Sequence, residues 1–354
     1  MKSSEPITKH DEDTVMEALL YEKKDHGKVQ CRLCSHRCVI GDGSRGICGV
    51  RENTGGRLDT LVYDRVIAVH VDPIEKKPLF HFLPGTLCFS LGTVGCNFKC
   101  RFCQNADIAQ MPSDHNGRII GDVVSPEEIV AGAVRSGCRS IAYTYTEPTV
   151  FFELAHETAR LAHNRDLKNI FVTNGYMTAE ALEMIGPFLD AANVDLKAFS
   201  DDFYKKQCGA RLAPVLDTLR RMKKAGVFVE VTTLLIPGLN DDMSELAELA
   251  GFIRDDLGDD TPWHVSRFHP TYKLLDRPPT PHKTLGDARE IGQKAGLKYV
   301  YTGNIPGDNG ENTFCPGCGR ILIGRRGFAI IKNTIRDDRC PDCGAVISGV
   351  GLST

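Results

Sequence analysis

Gly92-Thr93-Val94-Gly95-Cys96-Asn97-Phe98-Lys99-Cys100-Arg101-Phe102-Cys103-Gln104-Asn105 is the stretch from which the rest of this chain is read. It places three cysteines within eight residues, spaced Cys-x3-Cys-x2-Cys, and no fourth cysteine follows nearby. Thiolates bind iron–sulfur clusters, and a cubane has four irons. Three protein ligands leave one iron without a side chain, much as a catalytic zinc site keeps an open position. An open iron is a place for a ligand or substrate to bind and receive an electron. Gly92 and Gly95 are expected to let the backbone pass close to a bulky cofactor. The competing reading is a structural zinc knuckle that borrows a ligand such as Cys88 or a histidine. Closed zinc sites favour paired Cys-x2-Cys spacings, which weighs against it.

The chain has 354 residues, room for a barrel-sized domain with small appendages. Its composition, 42% hydrophobic and 25% charged, is that of an ordinary globular protein. A net charge of −3 gives no basic footprint and argues against a nucleic-acid partner. No run of eighteen apolar residues is present, so no membrane span is expected. The N-terminus is polar, then acidic at Asp11-Glu12-Asp13, and carries no signal-peptide apolar core. Eleven of the fourteen cysteines fall into three tight groups with metal-ligand spacing, which reads as metal binding in a reducing cytoplasm rather than as disulfides. Cys88, Cys138 and Cys208 sit among apolar or glycine neighbours and read as small buried hydrophobes.

From residue 87 to 301, β-rich runs alternate with helical patterns. Strands are expected at Leu87–Leu91, Ser140–Tyr145, Asn169–Thr173, Ala192–Leu196, Val227–Leu235, His264–Phe268 and Lys298–Tyr301. Amphipathic helices are expected at Pro126–Ser136, Val150–Asn164, Ala179–Leu189, Pro214–Ala225, Ser244–Leu257 and Thr284–Ala295. Ser125-Pro126-Glu127-Glu128 supplies a cap, a first-position proline and acids at the positive dipole end. Repeated βα units imply parallel strands joined by right-handed crossovers. The fold class is α/β, and six or so units suggest a partial (β/α)6 barrel with its active site at the C-terminal strand ends. The cysteine loop directly follows the first of these strands. Residues 1–26 are polar, with a short helical pattern at Val15–Tyr21 and an expectation of partial disorder; a hairpin is expected around Leu58–Val71.

The cysteine spacing and its surroundings resemble the radical S-adenosylmethionine (SAM) superfamily, within it the branch typified by pyruvate formate-lyase activating enzyme. The resemblance implies that Cys96, Cys100 and Cys103 hold a catalytic [4Fe-4S] cluster and that Phe102 lies near the SAM adenine. It implies that the open iron chelates SAM, that one electron cleaves the sulfonium, and that the resulting 5′-deoxyadenosyl radical takes a hydrogen atom from a substrate. Glu147-Pro148, within Tyr143-Thr144-Tyr145-Thr146-Glu147-Pro148, matches the family's contact to the SAM amino group, although tyrosine and threonine replace the usual glycine pair. A carboxylate beside an ammonium makes a charge-assisted hydrogen bond. Thr173-Asn174-Gly175 and Asp195-Leu196-Lys197 correspond to later strand-end motifs, and His269 to the histidine near the last strand. An electron donor such as flavodoxin or ferredoxin is implied as a partner. Cys31-Arg32-Leu33-Cys34-Ser35-His36-Arg37-Cys38, Gly46–Arg51, Val71–His81 and Trp263–Pro270 are most similar to the radical SAM enzyme of the AmmeMemoRadiSam system. That resemblance adds Memo-like and AMMECR-like proteins as partners. Lys76, Lys77 and His81 are candidates for the substrate side, although Pro73 and Pro78 equally suit a structural connection.

Two accessory cysteine sets flank this core. Cys315-Pro316-Gly317-Cys318 and Cys340-Pro341-Asp342-Cys343 form paired knuckles of the zinc-ribbon kind, with a rubredoxin-like iron as the alternative. Cys31, Cys34, Cys38 and Cys48 supply four ligands, for Zn2+ or for an auxiliary iron–sulfur cluster, and His36 is a substitute ligand inside the loop. The expected organisation is an N-terminal cysteine-rich region (1–80), a radical SAM core (81–305) and a C-terminal zinc-ribbon-like module (311–354), located in the cytoplasm. Three functions are carried forward. The first is a radical SAM enzyme acting on an unidentified substrate within an AmmeMemoRadiSam system. The second is a glycyl-radical enzyme activase, and the third a non-catalytic zinc-dependent interaction protein.

Overall fold

The computed structural model describes residues 15–305, 307 and 309–353. Residues 1–14, which carry most of the expected polar and partly disordered stretch, lie outside the described residues. The main elements in chain order are β1 (Arg51–Thr54), β2 (Arg57–Thr60), β3 (Arg65–Pro73), β4 (Leu87–Thr93), α1 (Pro126–Arg135), β5 (Ser140–Tyr143), α2 (Phe152–His163), β6 (Lys168–Thr173), α3 (Ala179–Ile185), β7 (Ala191–Asp195), α4 (Leu212–Lys224), β8 (Phe228–Leu235), α5 (Met243–Phe252), β9 (Trp263–Arg267), α6 (His282–Lys294), β10 (Val300–Gly303), β11 (Ile321–Arg326) and β12 (Ala329–Asn333).

The strands β4 to β10 form one sheet in sequence order, every neighbouring pair parallel. A main helix, α1 to α6, occupies each crossover, with further short helical turns in some of them. Among the described residues β10 pairs only with β9, so the sheet stays open and the barrel is partial. Strands covered by helices read as continuous apolar runs, and all four residues of β5 are buried. The sequence-level start of α1 is realised as a capping box: the Ser125 side chain accepts from the Glu128 N–H and the Glu128 carboxylate accepts from the Ser125 N–H. β3 extends the sheet antiparallel to β4.

Two local expectations are corrected. The stretch at Val15–Tyr21 is not helical: Met16–Glu17 pairs with β2, and Tyr21–Lys23 pairs with Val29–Cys31. A helical pattern of two turns is too short to compete with ready-made ladder partners. The hairpin lies one strand earlier than Leu58–Val71, between β1 and β2. Gly55 and Gly56, at φ 60° and 83°, supply the paired left-handed conformations that a tight hairpin turn needs. This frees β3 to join the main sheet.

The C-terminal module is a three-stranded antiparallel sheet of Thr313–Phe314, β11 and β12. It is anchored to residues 75–81. The buried Arg325 lies 4.2 Å from the centre of the Phe80 ring, donates to the Phe80 carbonyl at 2.8 Å and pairs with buried Glu75 at 3.7 Å. His81 is buried between the Ser348 carbonyl and the Tyr301 hydroxyl, at 2.6 Å from each. His81 is thus a docking residue and does not line the substrate side. Among the described residues no helix is long and apolar enough to cross a membrane.

Candidate active site

The loop that follows β4 is held on both sides. The Lys99 and Arg101 N–H groups donate to the carbonyls of Cys208 and Gln207, at 2.8 and 3.0 Å. Its glycines serve a different purpose from the one expected. A Cβ on Gly92 would lie 2.5 Å from the Thr144 carbonyl oxygen, and one on Gly95 would lie 2.5 Å from Val50 Cγ1. They let the loop pack against its own chain, on β5 and on the N-terminal cysteine segment, rather than make room for a cofactor.

Cys96, Cys100 and Cys103 open onto one cavity of about 530 Å³, together with Phe102, Glu147, Asn174, Asp195 and Lys197. Burial pushes the Cys96 thiol well above its usual pKa and the Cys103 thiol up to about 11. For Cys100 the leading cause of a rise is the neighbouring Cys208 thiol, followed by burial. Such thiols ionise only when a cation is supplied. Among the described residues, the one group of three or more candidate ligand atoms within 4.8 Å of one another is at the C-terminus. The three thiols here are therefore too widely spread to meet on a single ion, because Zn–S bonds of about 2.3 Å hold two sulfurs at most about 4.6 Å apart. Three spread thiols, no fourth lining the cavity, and the Asn97 amide nitrogen buried without a partner fit a multi-iron cluster that retains an open position.

The strand ends surround these thiols. Glu147 is 1% exposed and borders the cavity, with both carboxylate oxygens hydrogen-bonded. One oxygen accepts from the Thr149 N–H and hydroxyl and the Thr173 hydroxyl, at 3.0, 2.6 and 2.7 Å, and the other accepts from the Asn174 N–H at 2.8 Å. Burial raises its pKa, while these donors work in the opposite direction. Asn174 donates to the Asn97 side-chain oxygen at 2.7 Å and approaches Cys96 Sγ at 3.8 Å. Lys197 lies 2.8 Å from Asp195 and 5.9 Å from the centre of the Phe102 ring. Burial disfavours the Lys197 charge, but Asp195 and the Cys100 and Cys208 thiols outweigh it and hold its pKa well above the usual value. The cavity thus carries an acceptor carboxylate and an ammonium at separate positions, a pattern suited to a zwitterionic amino acid group.

His269 is not brought to this cavity. It is exposed and lines an adjoining cavity of about 820 Å³, which shares Pro78, Gln104, Ser266, Asn304 and Phe328 with the first. Lys76 and Lys77 do reach the first cavity. Both pair with Asp72, at 2.9 and 2.7 Å, and burial lowers the Lys77 pKa.

Tyr145 stands in the place of one family glycine and adopts φ 66°, a left-handed conformation that costs a non-glycine residue roughly 1–3 kcal/mol. Its hydroxyl donates to Asp72 at 2.7 Å, Lys77 sits 4.6 Å from its ring centre, and Asn105 donates to its carbonyl at 2.6 Å. Sequence reasoning missed Asn97, Asp72, Tyr145 and Phe328 as cavity or supporting groups. The replaced glycine was the available signal for Tyr145; nothing local pointed to Phe328, which arrives from the turn between β11 and β12.

The two accessory sets differ in geometry. Cys315, Cys318, Cys340 and Cys343 converge, with Sγ–Sγ distances of 3.5 Å for Cys315–Cys343 and 3.7 Å for Cys318–Cys340. That is the spacing of a tetrahedral single-ion site. Cys31, Cys34, Cys38 and Cys48 instead line a separate cavity. His36 lines the same cavity, with its Nε2 2.8 Å from the Asn97 carbonyl.

The family model described as Radical SAM superfamily matches residues 90–250. An uncharacterized protein of Methanocaldococcus jannaschii is 48% identical over 94% of this chain and 98% of its own length. The GTP 3',8-cyclase of Aquifex aeolicus is 24% identical over 66% of this chain and 77% of its own. Among solved structures, a domain of pyruvate-formate lyase-activating enzyme from Bacteroides vulgatus superposes with a TM-score of 0.42 at 15% identity, covering 47% of this chain and 99% of that one.

Proposed function

Since the chain belongs to the radical SAM superfamily, whose members are enzymes, we propose that it acts on a C–H bond of a small molecule, with SAM as the radical source. When bound, a [4Fe-4S] cluster supplies the single electron that cleaves the SAM sulfonium and leaves a 5′-deoxyadenosyl radical. In this reading Cys96, Cys100 and Cys103 hold the cluster. Glu147 accepts from the SAM ammonium, Lys197 meets the carboxylate, and Asn174 holds the loop at Asn97 and Cys96. Phe102, at the cavity wall, is the contact for the adenine. The observation that carries the proposal is that these residues, from one loop and the ends of β5, β6 and β7, line a single cavity.

The adjoining cavity is the proposed substrate side. Phe328 borders both cavities, and Arg326 and His269 face the second. The C-terminal module contributes Arg326, Gly327 and Phe328 to the wall of the second cavity, and on that ground a small molecule is favoured over the peptide of an activase. The strings at Cys31–Cys38, Gly46–Arg51, Val71–His81 and Trp263–Pro270 support placement in an AmmeMemoRadiSam system, with Memo-like and AMMECR-like partners and a flavodoxin- or ferredoxin-type electron donor in the cytoplasm.

The test is anaerobic reconstitution with iron and sulfide, reduction with dithionite, addition of SAM and quantification of 5′-deoxyadenosine. Wild type is expected to form it, and a Cys96→Ala/Cys100→Ala/Cys103→Ala variant to form none above background. Equal yields from the two proteins would overturn the proposal.

A further inference from the structure

Four thiols are generally enough for a zinc ion, so the N-terminal set must be judged by where its sulfurs lie. Among the described residues no three of Cys31, Cys34, Cys38 and Cys48 come mutually within 4.8 Å. A single zinc with bonds of about 2.3 Å requires sulfurs closer than about 4.6 Å. The C-terminal set meets that requirement in the same chain, with separations of 3.5 and 3.7 Å. The N-terminal thiols instead line a small cavity of about 20 Å³, walled by Leu33, Ile40 and Val150. Thiols that face a common space yet stand too far apart to share one ion suit several metal atoms with bridging sulfides.

The polar surroundings point the same way. The buried Arg51 guanidinium reaches Cys31 Sγ at 3.7 Å and is itself paired with buried Glu153. Hydrogen bonds to ligand sulfurs are among the features that set the potential of iron–sulfur clusters. His36 lines the cavity too, but its Nε2 is engaged with the Asn97 carbonyl, and the four cysteines are taken as the ligand set.

The site also abuts the catalytic loop. A Cβ on Gly95 would lie 3.1 Å from the Cys48 carbonyl oxygen, so the segments carrying Cys48 and Cys96 touch. The Ser35 N–H donates to the Tyr176 carbonyl at 2.9 Å, and the Tyr176 ring centre lies 4.9 Å from that of His36 and 5.1 Å from that of Phe98. These rings tie the two cysteine segments together in one packed layer.

We propose that Cys31, Cys34, Cys38 and Cys48 hold an auxiliary four-iron, four-sulfide cluster, ligated at every iron, beside the SAM-cleaving site. With no open iron it binds no substrate; its position suits the passage of single electrons between a low-potential flavin or iron–sulfur donor and the neighbouring site.

The experiment counts iron, acid-labile sulfide and zinc in anaerobically reconstituted full-length protein and records EPR spectra after dithionite reduction. Wild type is expected to hold about eight irons and the Cys96→Ala/Cys100→Ala/Cys103→Ala variant about four, with a reduced-cluster EPR signal retained. Adding Cys38→Ser and Cys48→Ser should remove those four irons and leave the ion at Cys315–Cys343 in place. A wild type with about four irons and a second zinc would overturn the proposal, as would iron in the triple variant that survives the added substitutions. Far-UV circular dichroism melts separate cluster loss from unfolding. The counts do not depend on SAM cleavage, so failure of the proposed activity and failure of this cluster are distinguishable.

Discussion

The two accessory cysteine regions have the same ligand count and opposite geometry. At the C-terminus Cys318 and Cys343 are exposed and all four sulfurs converge. At the N-terminus none of the four cysteines is exposed, the sulfurs are spread around a cavity, and the segment is packed against the loop of Cys96. The first arrangement suits a metal that folds a small module; the second suits a group that shares a wall with the active site. Ligand number alone does not separate these roles. Sulfur spacing and burial do.

The largest test of that contrast removes the C-terminal ligands. A Cys315→Ser/Cys340→Ser variant should unfold residues 311–353 while leaving the barrel intact, because structural metal contributes on the order of 10 kcal/mol to such modules. Limited proteolysis would show cleavage confined to this module; protection equal to wild type would contradict a metal-folded module. Next, Arg51→Met should destabilise the N-terminal region by about 3–5 kcal/mol, because it leaves Glu153 charged, buried and unpaired. Denaturant titration measures this, and the matching Arg325→Met, which strands Glu75, asks whether the C-terminal module depends on its buried ion pair to the same degree.

A smaller effect is pH dependence at the C-terminal dock. Burial lowers the His81 pKa to about 4. Between pH 6.5 and 4 the unfolded chain takes up a proton that the folded chain refuses, so stability is full above about 6.5 and falls as pH drops toward 4, by about 3 kcal/mol over the whole interval. His81→Asn should abolish this step in melts recorded across that range. The smallest effect is expected on the N-terminal side. Glu180 binds Arg32 and Arg37 at 2.6 and 3.1 Å, and its own backbone N–H together with these arginines lowers its pKa to about 2. Its contribution is present above the usual carboxylate pKa and lost as pH falls through about 2. Because the group is largely solvated, Glu180→Gln should cost less than about 1 kcal/mol at neutral pH.

Much of the core was legible in the sequence. The alternation of strand and helix periods located β4 to β10 and α1 to α6 because burial on a regular element leaves a local pattern. Cys96, Cys100 and Cys103 were named from their spacing and Glu147, Asn174, Asp195 and Lys197 from strand-end positions, and the structure gathers them at one cavity. His269 also ends a strand, yet it faces the neighbouring cavity, because strand-end position does not fix the direction of a side chain. Val15–Tyr21 was misread because seven residues carry too little periodicity to distinguish a turn of helix from strands whose partners lie elsewhere.

By itself the sequence determined the kinds of group available: which thiols come in sets, where the open triplet stands, and how many βα units build the sheet. Those are covalent spacings and local periods, written within short stretches of chain. Tertiary structure alone decided which sulfurs converge and which surround a cavity, that Gly92 and Gly95 serve chain packing, that Tyr145 holds a glycine's conformation, and that Phe328 arrives at the active site from a distant module. Each of these depends on distances between segments far apart in sequence, and such distances are set by packing, which a local pattern does not encode.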